Sequence, residues 1–255
     1  MNYIYDPNPL AVGGEKSVHR ATCVETRVDV VIKFLKQPYT QEDARRFEVE
    51  IQRLEKAKTT AGGGVSTLLD HNLTHTPPFY VEEYFADGSL AQKMAAIFRN
   101  GNLFQEGAAL GYCRQILNAI QGIHNSNQIH RDIKPQNIMF RASDKQMIIT
   151  DMGIGRTLAR PAPLQTMAFV GTRGYAAPEQ ENGWLTDHRI DLYPVGVILH
   201  EMLTGVRGAW NYNIYKGIPQ ITNVINSLMA FDPNNRFKTA YAAVQHIDKL
   251  GMSTR

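Results

Sequence analysis

The chain has 255 residues, a length for one two-lobed domain or two small ones, and 43% hydrophobic residues are enough to fill a core. Charged residues make up 20%, which excludes a disordered chain, and a net charge of +3 is too small to indicate a nucleic-acid or membrane-surface partner. The two cysteines, Cys23 and Cys113, lie far apart without metal-ligand spacing, which excludes a disulfide framework and favours a reducing compartment.

Met1 to Leu10 carries Asp6, two prolines and no basic stretch, so it does not read as a signal peptide. Gly13-Gly14 follows as a turn. Val18 to Leu35 is rich in Val, Ile and Thr around a polar Glu25-Thr26-Arg27 break, which predicts two strands joined by a turn, the second running through Val30-Val31-Ile32-Lys33. Thr40, with Asp43 three places on, starts a helix whose apolar stripe is Ala44, Phe47, Ile51 and Leu54. Ala61-Gly62-Gly63-Gly64 breaks the chain, and Pro77-Pro78 opens a strand over Phe79 to Phe85. From Ala91 helical patterns dominate, over Gly107 to His124, Ile190 to Leu203 and the C-terminal stretches. The longest apolar run, Val195 to Leu199, is far below the roughly 18 residues a membrane span requires. A strand-rich first third and a helical remainder predict an α+β chain of two lobes, 1–83 and 84–255, in one domain with a hinge at Glu83 to Gly88. The expected location is cytoplasmic.

The chemistry is concentrated in His130-Arg131-Asp132-Ile133-Lys134-Pro135-Gln136-Asn137, then Asp151-Met152-Gly153, then Gly171-Thr172-Arg173-Gly174-Tyr175-Ala176-Ala177-Pro178-Glu179. A carboxylate, an ammonium, an amide and a second carboxylate at these spacings suit phosphoryl transfer from a metal-bound nucleotide. Taken singly, these are a loop-capping aspartate, a surface lysine, a turn asparagine and a helix cap; their joint order is what selects the chemistry. The three stretches resemble the catalytic loop, metal-binding triplet and activation-segment end of the protein-kinase family. With Lys134 two places after Asp132, the chain resembles the eukaryotic-like (Hanks-type) serine/threonine kinases of bacteria, from about Leu10 to Arg236.

The resemblance implies a small β-rich N-lobe, a larger helical C-lobe, ATP with Mg²⁺ or Mn²⁺, and a protein substrate with a Ser or Thr hydroxyl. It implies Asp132 as catalytic base, Lys134 beside the γ-phosphate, and Asn137 and Asp151 as metal ligands. Lys33 resembles the strand lysine that holds the α- and β-phosphates and pairs with a helix glutamate. Glu50 and Glu48 compete for that pairing, and the helical period sets Glu50 nearer the apolar stripe. Val18, Val31, Glu83, Phe85 and Met139 stand at nucleotide-binding positions, and Gly13 matches one glycine of the phosphate loop, with Gly14 beside it. Thr166, in the activation segment, is a candidate autophosphorylation site for Arg131 to bind, or else a plain solvent-exposed threonine; Thr157 and Thr172 are alternatives, although Thr172 resembles the structural threonine that contacts the catalytic loop. Signalling of this kind implies a phosphatase or phosphothreonine-binding partner. Asp191 resembles an anchor for the catalytic-loop backbone, and Glu179 and Arg236 a distant structural pair.

Four features depart from the family pattern. Ala11, Gly13 and Lys16 stand at the three glycine positions of the phosphate loop, so Lys16 either adds positive charge there or points to solvent. Val31 stands where alanine is usual. Glu82 occupies the gatekeeper position before the hinge, where a buried carboxylate requires a partner. Gly205 to Asp232 is about half the family's length, so a helix is expected to be missing or reduced to one turn; Trp210-Asn211-Tyr212-Asn213-Ile214-Tyr215 there either seals the core or forms a recognition surface. These departures keep a non-catalytic pseudokinase scaffold as the alternative. A small-molecule phosphotransferase of kinase-like fold would lack Lys134 and the Gly-Thr to Ala-Pro-Glu segment.

Overall fold

A computed structural model describes residues 2–60, 62–152, 156–157, 172, 174–181, 187–206 and 215–250. The N-terminal part is an antiparallel sheet of β1 (Tyr3–Tyr5), β2 (Ala11–Val12), β3 (Lys16–Cys23), β4 (Asp29–Leu35), β5 (Leu68–Asn72) and β6 (Phe79–Glu83). The strands run in the order β1-β3-β4-β6-β5, with β2 also on β3. The expected pair of strands is β3 and β4, and β4 continues two residues beyond Lys33. β1 has no counterpart in the sequence reading; it pairs Tyr3 with Cys23 and Tyr5 with Ala21.

Alternation sorts the sheet's two faces. Val30, Ile32 and Phe34 join Ala21 and Val81 in a small outer cluster. The intervening residues of β4, namely Val31, Lys33 and Leu35, project the other way. They stand opposite Arg20, Val18 and Lys16 of β3. On the other side, Val31 and Lys33 stand opposite Glu82 and Tyr80 of β6. One sheet face therefore carries Lys16, Val18, Val31, Lys33, Tyr80 and Glu82.

Helix α1 (Gln41–Thr60) packs against this face. Its start is a reciprocal cap. The Thr40 amide donates to Asp43 Oδ2 at 2.8 Å, and the Asp43 amide donates to Thr40 Oγ1 at 3.2 Å. The expected stripe is buried at Phe47, Ile51 and Leu54, with Ala44 packed against the core.

The second lobe is built from α2 (Leu90–Arg99), α3 (Glu106–Asn125), α4 (Pro178–Glu181), α5 (Leu192–Thr204), α6 (Pro219–Leu228) and α7 (Ala240–Lys249). The small strands β7 (Gln128–Ile129), β8 (Ile138–Phe140), β9 (Met147–Ile149) and β10 (Arg156–Thr157) follow α3 in the chain and form two pairs, β7 with β10 and β8 with β9. Ser89 opens α2 with a full capping box through Gln92. Pro194 is tolerated because it falls in the first turn of α5, where amides have no helical acceptor. Within 205–232 the described residues hold one helix, α6. It sits directly on α5: a Cβ on Gly196 would lie 2.6 Å from Met229 Cγ and 2.8 Å from Leu228 Cβ. Tyr215 packs against the core and donates its hydroxyl to Glu106, which favours the sealing role for that residue. Trp210 to Ile214 lie outside the described residues. Among the described residues no helix is long and apolar enough to cross a membrane.

Candidate active site

The catalytic loop hangs on one buried carboxylate. Asp191, fully buried at the start of α5, accepts the His130 amide on Oδ2 at 2.9 Å and the Arg131 amide on Oδ1 at 2.8 Å. His124 Nε2 donates to the same Oδ2 at 2.9 Å. Burial would raise this carboxyl; His124 and the amide donors outweigh it and hold Asp191 below its ordinary range. The anchorage stabilises an unusual backbone, because Arg131 has φ +73°, a left-handed conformation that costs a non-glycine residue about 1–2 kcal/mol. Gln180 braces the same residue, its side-chain amide donating to the Arg131 carbonyl at 2.8 Å.

Beyond that bend the expected residues converge. Lys134 Nζ lies 2.7 Å from Asp132 Oδ2 and donates to Thr172 Oγ1 at 2.9 Å. Thr172 donates to Asp132 Oδ1 at 2.8 Å. Asn137 uses its amide nitrogen on the Asp132 carbonyl at 2.9 Å and on Asp132 Oδ2 at 3.2 Å. Its side-chain oxygen is then the atom available to a cation. The Asn137 carbonyl accepts the Thr150 amide at 2.9 Å, so the segment carrying Asp151 is bonded to the one carrying Asn137. Asp151 also takes a left-handed conformation, with φ +62°.

Across the cleft the charges are arranged differently from expectation. Lys33 does not pair with Glu50. It lies 2.6 Å from Glu82 Oε2 and 3.0 Å from Asp151 Oδ1. Glu50 receives Lys16 at 2.6 Å and the Tyr80 hydroxyl at 2.9 Å. Lys16 also reaches Asp151 Oδ1 at 3.2 Å. The cause is the shared sheet face. A nearly fully buried Glu82 demands the nearest ammonium, which is Lys33, and the vacated Glu50 is met by Lys16 from β3. Lys16 thus points inward, and the partner required for Glu82 is Lys33. Of the two candidates for that pairing, Glu50 is buried and bonded to Lys16, whereas Glu48 is exposed and accepts from Gln52; neither meets Lys33.

Burial by itself would lower both ammonium pKa values. Asp151, Glu82 and Glu50 nonetheless hold Lys33 above its ordinary range, and Glu50 and Asp151 do the same for Lys16. Lys33, against some desolvation, and then Lys16 hold the Asp151 carboxyl far below its ordinary range. Burial, with Glu50 and Glu82 adding to it, pushes Tyr80 upward, so it stays neutral. The cluster therefore sets two ammonium groups against three carboxylates, with Asp151 side chain 42% exposed at its open edge. Its single excess negative charge and hard oxygen donors suit a divalent cation that completes its shell with phosphates and water. Among the described residues no group of three or more His, Cys, Asp or Glu side chains can hold a metal by itself.

Of the positions expected to bind nucleotide, Val31 and Phe85 are buried, and Val18 and Met139 are half-buried. Met139 alternates with buried Ile138 and Phe140 and so projects from the other face of β8. The Glu83 side chain is occupied by Arg141, at 2.8 and 3.0 Å. Gly13 and Gly14 form a tight hairpin turn in which the Gly13 amide donates to the Lys16 carbonyl at 2.9 Å. A Cβ at Gly14 would meet nothing within 4 Å, so the fold itself leaves that position open. Thr166 lies outside the described residues. Glu179 and Arg236 form the expected pair as a buried two-pronged contact, both bonds at 2.7 Å.

One residue that sequence reasoning missed joins the lobes. Arg53 of α1 is buried and donates to Gln128 Oε1 at 3.0 Å and to the Ile129 carbonyl at 2.8 Å, immediately before the catalytic loop. Gln128 answers with a bond to the Arg53 carbonyl at 3.2 Å.

Known proteins resemble this chain in sequence. A protein of Clostridium perfringens (strain 13 / Type A), named a probable serine/threonine-protein kinase, is 28% identical over 93% of this chain and 37% of its own length. The serine/threonine-protein kinase PrkC of Bacillus subtilis (strain 168) is 29% identical over 89% of this chain and 37% of its own. PknB of Mycobacterium leprae (strain TN), also named a serine/threonine-protein kinase, is 27% identical over 91% of this chain and 40% of its own. The chain thus spans roughly two fifths or less of these relatives. Residues 8–249 match the protein kinase domain. With a strand lobe, a helical lobe and the Asp132–Lys134–Asn137–Asp151 cleft between them, the chain belongs to the protein kinase family.

Proposed function

We propose that this chain transfers the γ-phosphate of Mg·ATP to serine or threonine hydroxyls of proteins. The observation that carries the reading is the closed triangle of Asp132, Lys134 and Thr172, with Asn137 bonded to the same aspartate. Asp132 orients the incoming hydroxyl and takes its proton as the oxygen–phosphorus bond forms and the bond to ADP breaks. Lys134 offsets charge on the transferred group. Asn137 and Asp151 would hold the cation, which when bound neutralises the phosphates. Val18, Val31, Phe85 and Met139 would enclose the base. Gly13 and Gly14 would allow the phosphates close to main-chain amides, and Glu83 would contribute through its main chain.

A scaffold without catalysis is not favoured, because base, lysines and metal ligands stand together. Incubating purified protein with labelled ATP and Mg²⁺ tests the reading. Label should appear on serine or threonine of the protein or of an added substrate, and not with Asp132→Ala. A wild-type protein that transfers no phosphate, or a variant as active as wild type, ends it. Mass spectrometry of the same sample should find phosphate on Thr166; active protein with Thr166 unmodified removes that site from the proposal.

A further inference from the structure

Resting on the kinase reading, we propose that Lys16 is the positioning residue that holds α1 and Glu50 at the cleft, because Glu82 commits Lys33 elsewhere. Lys at 16 and Glu at 82 are then one compensated unit. Glu82 is buried in β6, diagonal to Lys33 on the shared sheet face. A carboxylate at that depth is tolerated only with a cation beside it, and Lys33 Nζ sits 2.6 Å away. The same ammonium also serves Asp151 at 3.0 Å, so its charge is shared between two carboxylates.

Glu50 still needs a cation at the edge of α1. Lys16 supplies it from the strand that follows the phosphate turn, at 2.6 Å. Through its contacts with Glu50, Tyr80 and Asp151, that one ammonium ties β3 to α1, to β6 and to the segment of the second acidic ligand. A glycine at position 16 would leave Glu50 with the Tyr80 hydroxyl and no positive charge bonded to it. The loss of the third loop glycine therefore has a structural use: the phosphate loop itself is bolted to the helix.

The test is a double-variant cycle on Lys16→Met, Glu82→Met and the pair, with Lys16→Arg as the charge-conserving control. Two readouts are taken: amide hydrogen exchange of α1 without nucleotide, and the phosphate-transfer rate with its ATP KM. Lys16→Met should deprotect α1 and lower the rate by up to about 100-fold, as expected when a remote change shifts reacting groups by about 1 Å. Lys16→Arg should keep α1 protected. Adding Glu82→Met to Lys16→Met frees Lys33 to reach Glu50, and should recover at least about tenfold in rate together with α1 protection. Unchanged α1 exchange in Lys16→Met, or a double variant no better than the single one, overturns the proposal. If Lys16→Met does not fold, recovery of folding by Glu82→Met supports it and failure of both to fold counts against it. A wild-type protein without transferase activity refutes the kinase reading alone, since the exchange measurements still decide the role of Lys16.

Discussion

The two walls of the cleft are held by different kinds of bond. On the helical wall, Asp191 grips two consecutive main-chain amides, and Asn137 and Thr150 join their segments through the backbone. On the strand wall, the tips of two lysines, two glutamates and Asp151 settle among themselves. A main-chain anchor fixes where each residue sits from its place in the sequence. A cluster of flexible charged tips is fixed only by who is nearest and how deep each charge lies. The first wall can be read from motif spacing; the second can exchange partners without moving a strand.

The largest expected effect is chemical and belongs to the helical wall. Asp132→Asn keeps the shape but cannot accept the proton, so the transfer rate should fall about 10²–10⁴-fold while the thermal midpoint stays close to wild type. A rate within tenfold of wild type would mean the base lies elsewhere. Next comes the scaffold under that wall. Arg236→Ala strips one partner from the buried contact with Glu179 and leaves a carboxylate stranded, with a loss of about 3–5 kcal/mol in urea unfolding. A loss under 1 kcal/mol would show that water reaches Glu179 and that this wall is less rigid than its bonds imply.

Between the walls, Arg53 is one direct link, beside the contacts of Lys16 and Lys33 with Asp151, and breaking it should blur the contrast. Burial pushes this guanidinium down to about 10, so it stays charged at neutral pH. Arg53→Ala leaves Gln128 and the Ile129 carbonyl without their donor, at a cost of about 1–3 kcal/mol. Hydrogen exchange should then rise in α1 and at Gln128–Ile129 together. If only α1 responds, the lobes are joined by something other than Arg53.

The sequence's legibility follows the same division. Asp132, Lys134, Asn137 and Asp151 could be placed because their spacing is short and their loop is braced by main-chain bonds. The buried Glu179–Arg236 pair was legible through motif position as well. The Lys33–Glu50 pairing was misread because motif position names a residue and not its partner. The available signal was the two-residue period of β3, β4 and β6, which puts Lys16 and Glu82 on the face of Lys33. Arg53 escaped notice because a basic residue in a helix ordinarily faces water, and its acceptors lie 75 and 76 positions on. β1 is too short, with Pro7 and Pro9 close behind it, to show a period. Gly196 carried no mark beyond being a glycine inside a helix, yet the reduced segment depends on it to seat α6 against α5.

The smallest effect concerns the proton inventory of the helical wall. His130 is fully buried, its Nε2 donates to the Thr150 carbonyl at 3.0 Å, and its Nδ1 accepts the Asp132 amide at 3.2 Å. That arrangement needs a neutral ring with the proton on Nε2. Burial lowers the ring's pKa and Arg53 adds to this, against Asp191, the Thr150 carbonyl and Asp132, which raise it; the net shift is downward. An unfolded chain takes up this proton near pH 6.5 and the folded one only lower, so the contribution to stability is complete above about 6.5 and shrinks as pH falls below it. The slope can reach about 1.4 kcal/mol per pH unit for one such group. His200, also lowered by burial, acts with the same sign. Calorimetry from pH 8 to 5 should show a midpoint that is level above 6.5 and declines below it, with a shallower decline in His130→Gln. An identical decline in the two proteins would mean that His130 gains its proton inside the fold, and that the Asp132 amide does not depend on a neutral ring.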